Sequence, residues 1–522
     1  MHNHIRLLRK TLVSILLVSS ATLCHAGIFA GDSWRDISEE DKAQTASTID
    51  PEAGAEILYL EEKVNDNDPL SNGTIPHMQN QPGSESNRFA RLHRYIRVKA
   101  FDERGVEKLK EYYTDVDSEF NVTDVAARVV QPDGSITLVD DRDIFKREVL
   151  RDGDNRIERI SFAFPNLTPG SILEVQVQAY TRHAMSDLFF SFGAPLPIRD
   201  AVLLIKPSEG RLCYFNYNNI PGGVHAGWSD YHKAEVHNIH AYSDDPYQPP
   251  LLSQRPWISA RYAYSKEETK PDKYWMYYSM FLDDWSRFKV GGGVDIRKKA
   301  DVLTGGITDP KERLRRLYNF CQSEIVNTDC ENSGFLASDI RGLGKNDNSA
   351  ETLSNARGNT TDISLLFASL ARAAGFEVNL ALCNDKTLID WDPKALNYRM
   401  VPEFLVAVKD GEKWGFYEPG IPFLPFGMIR PGNEMTTAIL GHPDKATLVQ
   451  TPFAPSSASQ LIRAGTFSID EDGTLHGEAT FKYSGHRARQ AKNDWVGMSQ
   501  EDREDDFKSS IRDLVPNAEI SD

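Results

Sequence analysis

The 522-residue sequence is poor in cysteine, in positive charge and in long apolar runs. Its 5 cysteines are too few for a disulfide-rich scaffold of this length. A formal net charge of −17 argues against nucleic acid or an anionic membrane surface as a partner. After the first 26 residues no apolar run is long enough to span a bilayer, so we expect no transmembrane segment in the mature chain. Hydrophobic residues make up 40% of the chain, which is enough for the cores of about three domains.

The N-terminus has the pattern of an export signal. Basic residues precede the apolar run 12–23, and Ala26 offers a small residue at the cleavage position. We therefore expect a signal peptide over 1–26 and a mature chain that begins at Gly27. The mature protein is then soluble and either periplasmic or secreted. A polar, acidic leader is predicted to follow over 27–55.

Residues 56–265 have the alternating pattern of β-strands. Every second residue of 173–179 is apolar, and Asp-Gly and Pro-Gly turns separate several such runs. The pattern predicts a β-sandwich. The segments 132–135 (Pro-Asp-Gly-Ser) and 164–171 (Phe-Pro-Asn-Leu-Thr-Pro-Gly-Ser) are similar to a β-sandwich domain of unknown function in bacterial exported proteins. In those proteins, this domain often precedes a second domain.

A second domain is predicted over 266–455, centred on a buried helix. The turn 357–362 leads into a run of apolar residues at helical spacing, and Gly375 is a suitable C-terminal stop. The turn delivers Thr360 to the helix N-terminus. Many cysteine nucleophiles occupy such a position, because the unpaired amides and the helix dipole stabilise a thiolate. Here the residue is a threonine.

This stretch resembles the core of transglutaminase-like proteins. Their motif is Gly, Asp or Asn, Cys, any residue, then Asp or Glu, and it opens a helix that ends in Ala-Ala-Gly. Gly358, Asn359 and Asp362 match the motif. The resemblance implies a papain/transglutaminase-like α+β core with a cleft at the helix start. The positions of the family's catalytic Cys, His and Asp fall on Thr360, Glu403 and Glu418.

These three replacements predict loss of the family's chemistry. A threonine hydroxyl is far less acidic than a thiol, and an ordinary carboxylate at 403 is a weak base towards an alcohol. We therefore expect an exported, non-catalytic binding or scaffolding module for a polypeptide or cell-envelope ligand. The candidate cleft residues beside the triad positions are Trp285, Gly358, Asn359 and Asp362.

Two other functions stay open at this point. One is an enzyme of altered chemistry, either a hydrolase or an acyl transferase, that uses Thr360 or the carboxylates of Glu403 and Glu418. The paired carboxylates could also share a proton or bind a cation, although hydrogen bonds to cleft residues are the simpler expectation. The other is a structural part of an envelope assembly. No cofactor is expected, and no recognised metal-ligand spacing occurs.

Two further expectations concern cysteine and the C-terminal region. Cys321 lies on the apolar stripe of a predicted helix, which favours a buried thiol, while pairing with Cys330 stays open. Residues 456–522 contain a hairpin pattern around Asp472 and a polar helix near 499–513. We expect them to be the start of a C-terminal β domain that relatives carry in fuller form. The predicted fold class is thus α+β and multidomain.

Overall fold

The structure is a computed structural model and describes residues 34–69, 88–117, 120–152, 155–181, 187–208, 210–227, 230–242, 248–291, 293–330 and 346–521. The chain divides into two compact units. Unit 1 consists of the residues up to Tyr274 together with Thr387–Pro402, and unit 2 of Trp275–Lys386 together with Glu403–Asp522. Within the described ranges, no helix is both long enough and apolar enough to cross a membrane.

Unit 1 is rich in β-structure, as the alternating pattern predicts. Its helices are α1 (Glu39–Ala43), α2 (Glu103–Leu109) and α3 (Leu251–Gln254). Its strands are β1 (Ala55–Pro69), β2 (Arg88–Ala100), β3 (Glu111–Asp117), β4 (Asn121–Val130), β5 (Ile136–Leu138), β6 (Phe145–Asp152), β7 (Asn155–Ala163), β8 (Ile172–Thr181), β9 (Asp187–Ser191), β10 (Ile198–Lys206), β11 (Leu212–Asn218), β12 (His225–Ala226), β13 (His232–Ile239) and β14 (Trp257–Ala263).

These strands form three sheets around one core. The largest sheet has the order β12-β13-β10-β1-β2-β8-β4-β5, and two smaller sheets have the orders β3-β7-β6 and β11-β14-β9. On β8, Leu173, Val175, Val177 and Ala179 all point into a core that also contains side chains of both smaller sheets. The predicted orientation of this strand is therefore confirmed. Its alternate residues face the opposite side of the large sheet, where Glu174 is 0% exposed.

Unit 2 combines helices with a five-stranded sheet. Its helices are α4 (Pro271–Lys289), α5 (Val294–Thr304), α6 (Pro310–Ser323), α7 (Ser349–Asn355), α8 (Thr360–Ala373), α9 (Gly485–Asp494) and α10 (Gln500–Leu514). Its strands are β15 (Val326–Asn327), β16 (Arg357–Gly358), β17 (Val378–Cys383), β18 (Glu403–Asp410), β19 (Lys413–Tyr417), β20 (Thr437–Leu440), β21 (Thr447–Gln450), β22 (Leu461–Ile469) and β23 (Leu475–Tyr483). The five-stranded sheet has the order β19-β18-β17-β20-β21.

Helix α8 is the buried helix predicted from the sequence. Ten of its 14 residues are buried, and Leu366 is fully buried. The ring of Phe367 contacts Tyr417 at a centroid distance of 5.5 Å, which packs α8 against the end of β19. Gly375 lies just after the helix with φ +90°, a left-handed conformation that glycine adopts without steric cost.

The cysteine and C-terminal expectations have different outcomes. Cys321 is a buried thiol, which confirms that prediction, and no disulfide joins it to Cys330. Strands β22 and β23 pair as the predicted hairpin, and α10 lies over the predicted helical region. Phe481 of this hairpin packs against Phe507 of α10 at 5.3 Å, while most other hairpin residues are exposed.

Candidate functional site

The candidate site is built around the first turn of α8. Asn359 caps the helix by accepting hydrogen bonds from the amides of Thr361 and Asp362 at 2.9 and 2.8 Å. The Asp362 carboxylate accepts in return from the Asn359 amide at 3.1 Å, which completes a capping box. Gly358 leaves no room for a side chain, since an added Cβ would lie 2.6 Å from the Cβ of Asp362. Three predicted cleft residues thus fix where the helix begins.

Thr360 occupies the first position of α8, and the chain's own polar groups surround it. Its amide donates to Oδ2 of Asp329 at 2.7 Å. Its Oγ1 accepts a hydrogen bond from Nδ2 of Asn327 at 3.2 Å. The side-chain amide of Asn327 also donates to the main-chain carbonyl of Gly420 at 2.7 Å. The partial positive charge at the helix start, where a thiolate would be stabilised, is therefore paired with an internal carboxylate.

Gly420 brings the end of β19 against the Thr360 backbone. A Cβ added at Gly420 would lie 2.1 Å from the Thr360 carbonyl oxygen and 2.9 Å from its Cα. Real Cβ atoms do not approach backbone this closely, so glycine is the residue type that fits here. Because Gly420 follows Glu418 by two residues, this contact places Thr360 next to the segment that carries Glu418.

We expect Gly420→Ala to lower the free energy of unfolding by about 1–3 kcal/mol, because the added methyl group forces the strand end away from α8. Gly291→Ala is the matched control, since an added Cβ at Gly291 has no heavy atom within 4 Å. Hydrogen exchange at the amides of α8 measures both effects. Equal exchange rates in the two variants would contradict the close packing of Gly420 on Thr360.

Glu403 and Glu418 meet on one guanidinium group. Arg430 donates through Nη2 to Glu403 Oε2 and through Nε to Glu418 Oε1, the latter at 2.6 Å. The Arg430 amide also donates to Glu418 Oε2 at 2.6 Å, and Asn433 Nδ2 donates to Glu418 Oε1 at 3.0 Å. Glu403 and Glu418 are only 4% and 2% exposed. We call this set of four residues the carboxylate–arginine cluster.

The electrostatics of the cluster favour the charged form of Arg430. Burial by itself would lower the pKa of Arg430, but Glu418 and Glu403 outweigh burial and raise that pKa above its ordinary value. Buried ion pairs of this kind persist when their remaining hydrogen-bonding atoms are also satisfied. The guanidinium therefore supplies the cation that two adjacent carboxylates need, which agrees with the expectation of hydrogen bonds to cleft residues.

Cys383 lies directly opposite Glu403 in the β17–β18 pair. It is fully buried, and burial, followed by the charges of Glu403 and Glu418, raises the pKa of its thiol well above the ordinary value. A nucleophilic cysteine needs the opposite shift. The surroundings of this thiol therefore do not favour a nucleophilic thiolate.

Trp285 lies on α4, and its ring contacts Phe404 with centroids 5.1 Å apart. Phe404 and Glu403 are neighbours on β18, so their side chains point to opposite faces of the sheet. Glu403 shares its face with Cys383 and Leu405. Trp285 thus packs on the face that does not carry the carboxylate–arginine cluster, and its predicted place beside the triad positions is not supported by these contacts.

Arg430, Asn433, Asn327, Asp329 and Gly420 were not predicted as site residues. Arg430 and Asn433 follow the apolar stretch 421–429, and the two predicted carboxylates required a cation somewhere. That requirement is the one signal that points to Arg430, the only lysine or arginine between Lys413 and Lys445. Nothing local distinguishes Asn327 and Asp329, because their partner Thr360 is more than 30 residues away.

The two family matches fall mainly in one unit each, although the second also spans Thr387–Pro402 of unit 1. Residues 90–225 match DUF3857, a domain of unknown function with solved structures, and residues 297–419 match the transglutaminase-like superfamily. The second match includes Thr360, Glu403 and Glu418. The chain therefore carries a DUF3857 domain followed by a transglutaminase-like domain, as the sequence resemblance implies. No curated protein matches the chain.

Solved structures resemble the chain at low sequence identity. A candidate protease from Parabacteroides distasonis ATCC 8503 is 12% identical with a TM-score of 0.54, and the alignment covers 77% of this chain and 72% of that chain. Native yeast LTA4 hydrolase is 11% identical with a TM-score of 0.22, over 47% of this chain and 35% of that one. A candidate cysteine protease from Cytophaga hutchinsonii is 9% identical with a TM-score of 0.20, over 71% and 96%. Only the first of these three similarities is strong enough to show a shared fold.

Proposed function

We propose that the transglutaminase-like domain is a non-catalytic module that binds or scaffolds a polypeptide or cell-envelope ligand in an exported protein. The observation that carries this proposal is the carboxylate–arginine cluster. Glu403 and Glu418 occupy the positions that correspond by sequence to the family's catalytic His and Asp, and both are held by Arg430. A general base must lie within hydrogen-bond reach of the proton that it abstracts, and Glu403 Oε2 instead accepts a hydrogen bond from Arg430.

The surroundings of Thr360 support the same proposal. Acyl transfer from a hydroxyl requires a base that removes its proton and donors that stabilise the developing oxyanion. The Thr360 amide, a natural donor at the helix start, is already bound by Asp329, and Oγ1 accepts a hydrogen bond from Asn327. This arrangement holds the threonine in place and directs the Asn327 amide donor at its oxygen.

The proposal predicts no thiol-dependent amine incorporation or peptide hydrolysis by the purified protein. It also predicts that Thr360→Cys stays inactive, because position 403 supplies no imidazole. Monodansylcadaverine incorporation into casein, with and without iodoacetamide, measures the first activity, and a fluorogenic peptide panel measures the second. Thr360→Ala is the control. Activity that Thr360→Ala removes would instead support the altered enzyme that uses Thr360.

The export part of the proposal rests on the N-terminal sequence pattern alone. Mass spectrometry of the protein recovered from the periplasm or medium should give a first residue at or near Gly27. A variant with Ala26→Trp should accumulate uncleaved, because the cleavage position requires a small residue. Recovery of an exported chain that still begins at Met1 would contradict cleavage.

A further inference from the structure

A polar segment covers the outer face of the large sheet of unit 1. We call residues 34–48, which include α1, the N-terminal segment. Its two buried residues are Asp41 and Ser47, at 3% and 5% exposure, and both are polar. Its largest apolar side chains, Trp34 and Ile37, are only half-buried. A segment that belongs to a core contributes buried apolar side chains, so this one is held by a different kind of contact.

Asp41 is the first anchor of the N-terminal segment. Its carboxylate accepts hydrogen bonds from Arg97 Nη1 at 3.2 Å and from Arg199 Nη2 at 2.6 Å. Lys99 Nζ donates to the main-chain carbonyls of Asp41 and Lys42, each at 2.7 Å. Three basic side chains of β2 and β10 thus converge on one acidic residue and on the carbonyl end of α1.

Ser47 is the second anchor. Its hydroxyl donates to Glu56 Oε2 at 2.5 Å, and the amide of Thr48 donates to the same oxygen at 3.0 Å. At the other end of the segment, the main-chain carbonyl of Arg35 accepts from Arg97 Nη2 at 2.8 Å. Both side-chain and main-chain groups of the segment are therefore recognised by the sheet.

The sheet face has a charge network of its own beneath the segment. Glu174 is fully buried and accepts hydrogen bonds from Tyr95, from Arg97 Nε at 2.9 Å and from Arg128 Nε at 2.5 Å. These pairs lie within the sheet, and Arg128 also lies over the Trp34 ring of the segment at 4.5 Å. If the segment leaves, it uncovers charged groups that water can solvate, rather than apolar surface. The N-terminal segment can therefore leave the sheet at a lower cost than a segment that covers apolar surface.

We propose that this face of the DUF3857 unit is a recognition surface for an acidic polypeptide segment, and that residues 34–48 are its intramolecular occupant. The surface selects a carboxylate at Arg97 and Arg199 and a hydroxyl six residues further on at Glu56. Lys99 binds the main-chain carbonyls beside the carboxylate. A second polypeptide with this chemistry competes with the chain's own segment. This surface is separate from the carboxylate–arginine cluster and does not depend on the proposed function.

The test uses the full-length protein with both anchors removed, Asp41→Ala/Ser47→Ala. A fluorescently labelled synthetic peptide of residues 34–48 should bind this variant about tenfold or more tightly than it binds the wild type, where the segment occupies the surface. The same peptide with Asp41→Lys is the control and should not bind. A peptide that binds neither protein, or that binds equally well with Asp41→Lys, would overturn the proposal.

Hydrogen exchange of the wild-type protein provides a second arm that does not depend on how the variant folds. In about 1 M NaCl, where the Debye length is about 3 Å, amides of α1 should exchange about tenfold faster while amides of β8 keep their rates. If α1 amides exchange only in step with β8 amides at every salt concentration, the segment is a permanent part of the fold and the proposal fails.

Discussion

Replacing Arg430 with methionine is expected to lower the free energy of unfolding of unit 2 by about 3–5 kcal/mol. The change removes the shared cation and leaves Glu403 and Glu418 buried next to each other at 4% and 2% exposure. Unpaired buried charges cost several kcal/mol, and two adjacent ones also repel each other. Hydrogen exchange at the amides of β18 and β19, or calorimetric unfolding, measures the loss.

Arg287→Met is the matched control for this prediction. Arg287 also pairs with a carboxylate, that of Asp283, but its side chain is 59% exposed, so its loss should cost no more than about 1 kcal/mol. Adding Glu403→Gln and Glu418→Gln to the Arg430→Met variant should recover part of the lost stability, because the uncompensated charges disappear. If Arg430→Met and Arg287→Met cost the same, the cluster does not hold the site together.

Replacing Leu366 with alanine is expected to cost about 2–5 kcal/mol, through lost burial and through the cavity left in the centre of unit 2. Leu366 is 0% exposed on α8, one of the most completely buried positions of the chain. The measurement is unfolding in urea, with hydrogen exchange at the amides of α8 as the probe. A probe of this one unit is needed because a chain of two units need not unfold in one step.

Leu475→Ala provides the comparison for Leu366. Leu475 is 58% exposed on β23, so the same chemical change should alter stability by no more than about 0.5 kcal/mol. Comparing the two variants shows whether the lost stability comes from the burial of the leucine or from the Leu→Ala change itself. Equal, small effects at both positions would mean that α8 is not the buried centre of its unit.

Local patterns in the sequence were sufficient to predict the elements that carry the site. Alternation predicted the inward face of β8, and the turn at Gly358 with the apolar spacing after it predicted α8, because such signals depend on neighbouring residues. The partners of the site residues are different. Asp329 reaches Thr360, and Arg430 reaches Glu403, only after the chain has folded, and no spacing rule links residues that far apart in sequence.

The region before the first strand shows the same limit. Composition predicts a polar leader over 27–55, and the described residues of that stretch are indeed mostly exposed. Composition says nothing of Asp41, whose carboxylate binds Arg97 and Arg199 at 3.2 and 2.6 Å. From composition alone, an acidic residue in a polar run is expected to be solvated. The basic side chains that bury Asp41 lie on strands that are distant in sequence.

The most direct test of the central claim is whether Thr360 ever becomes acylated. The protein is incubated with an excess of an activated acyl ester and with a glutamine-containing peptide, quenched in acid, digested, and analysed by mass spectrometry of the fragment that contains Thr360. The account predicts an unchanged fragment mass, equal to that of protein incubated without acyl donor. An acyl group on Thr360 that forms in the native protein, and does not form after denaturation, would contradict a non-catalytic site.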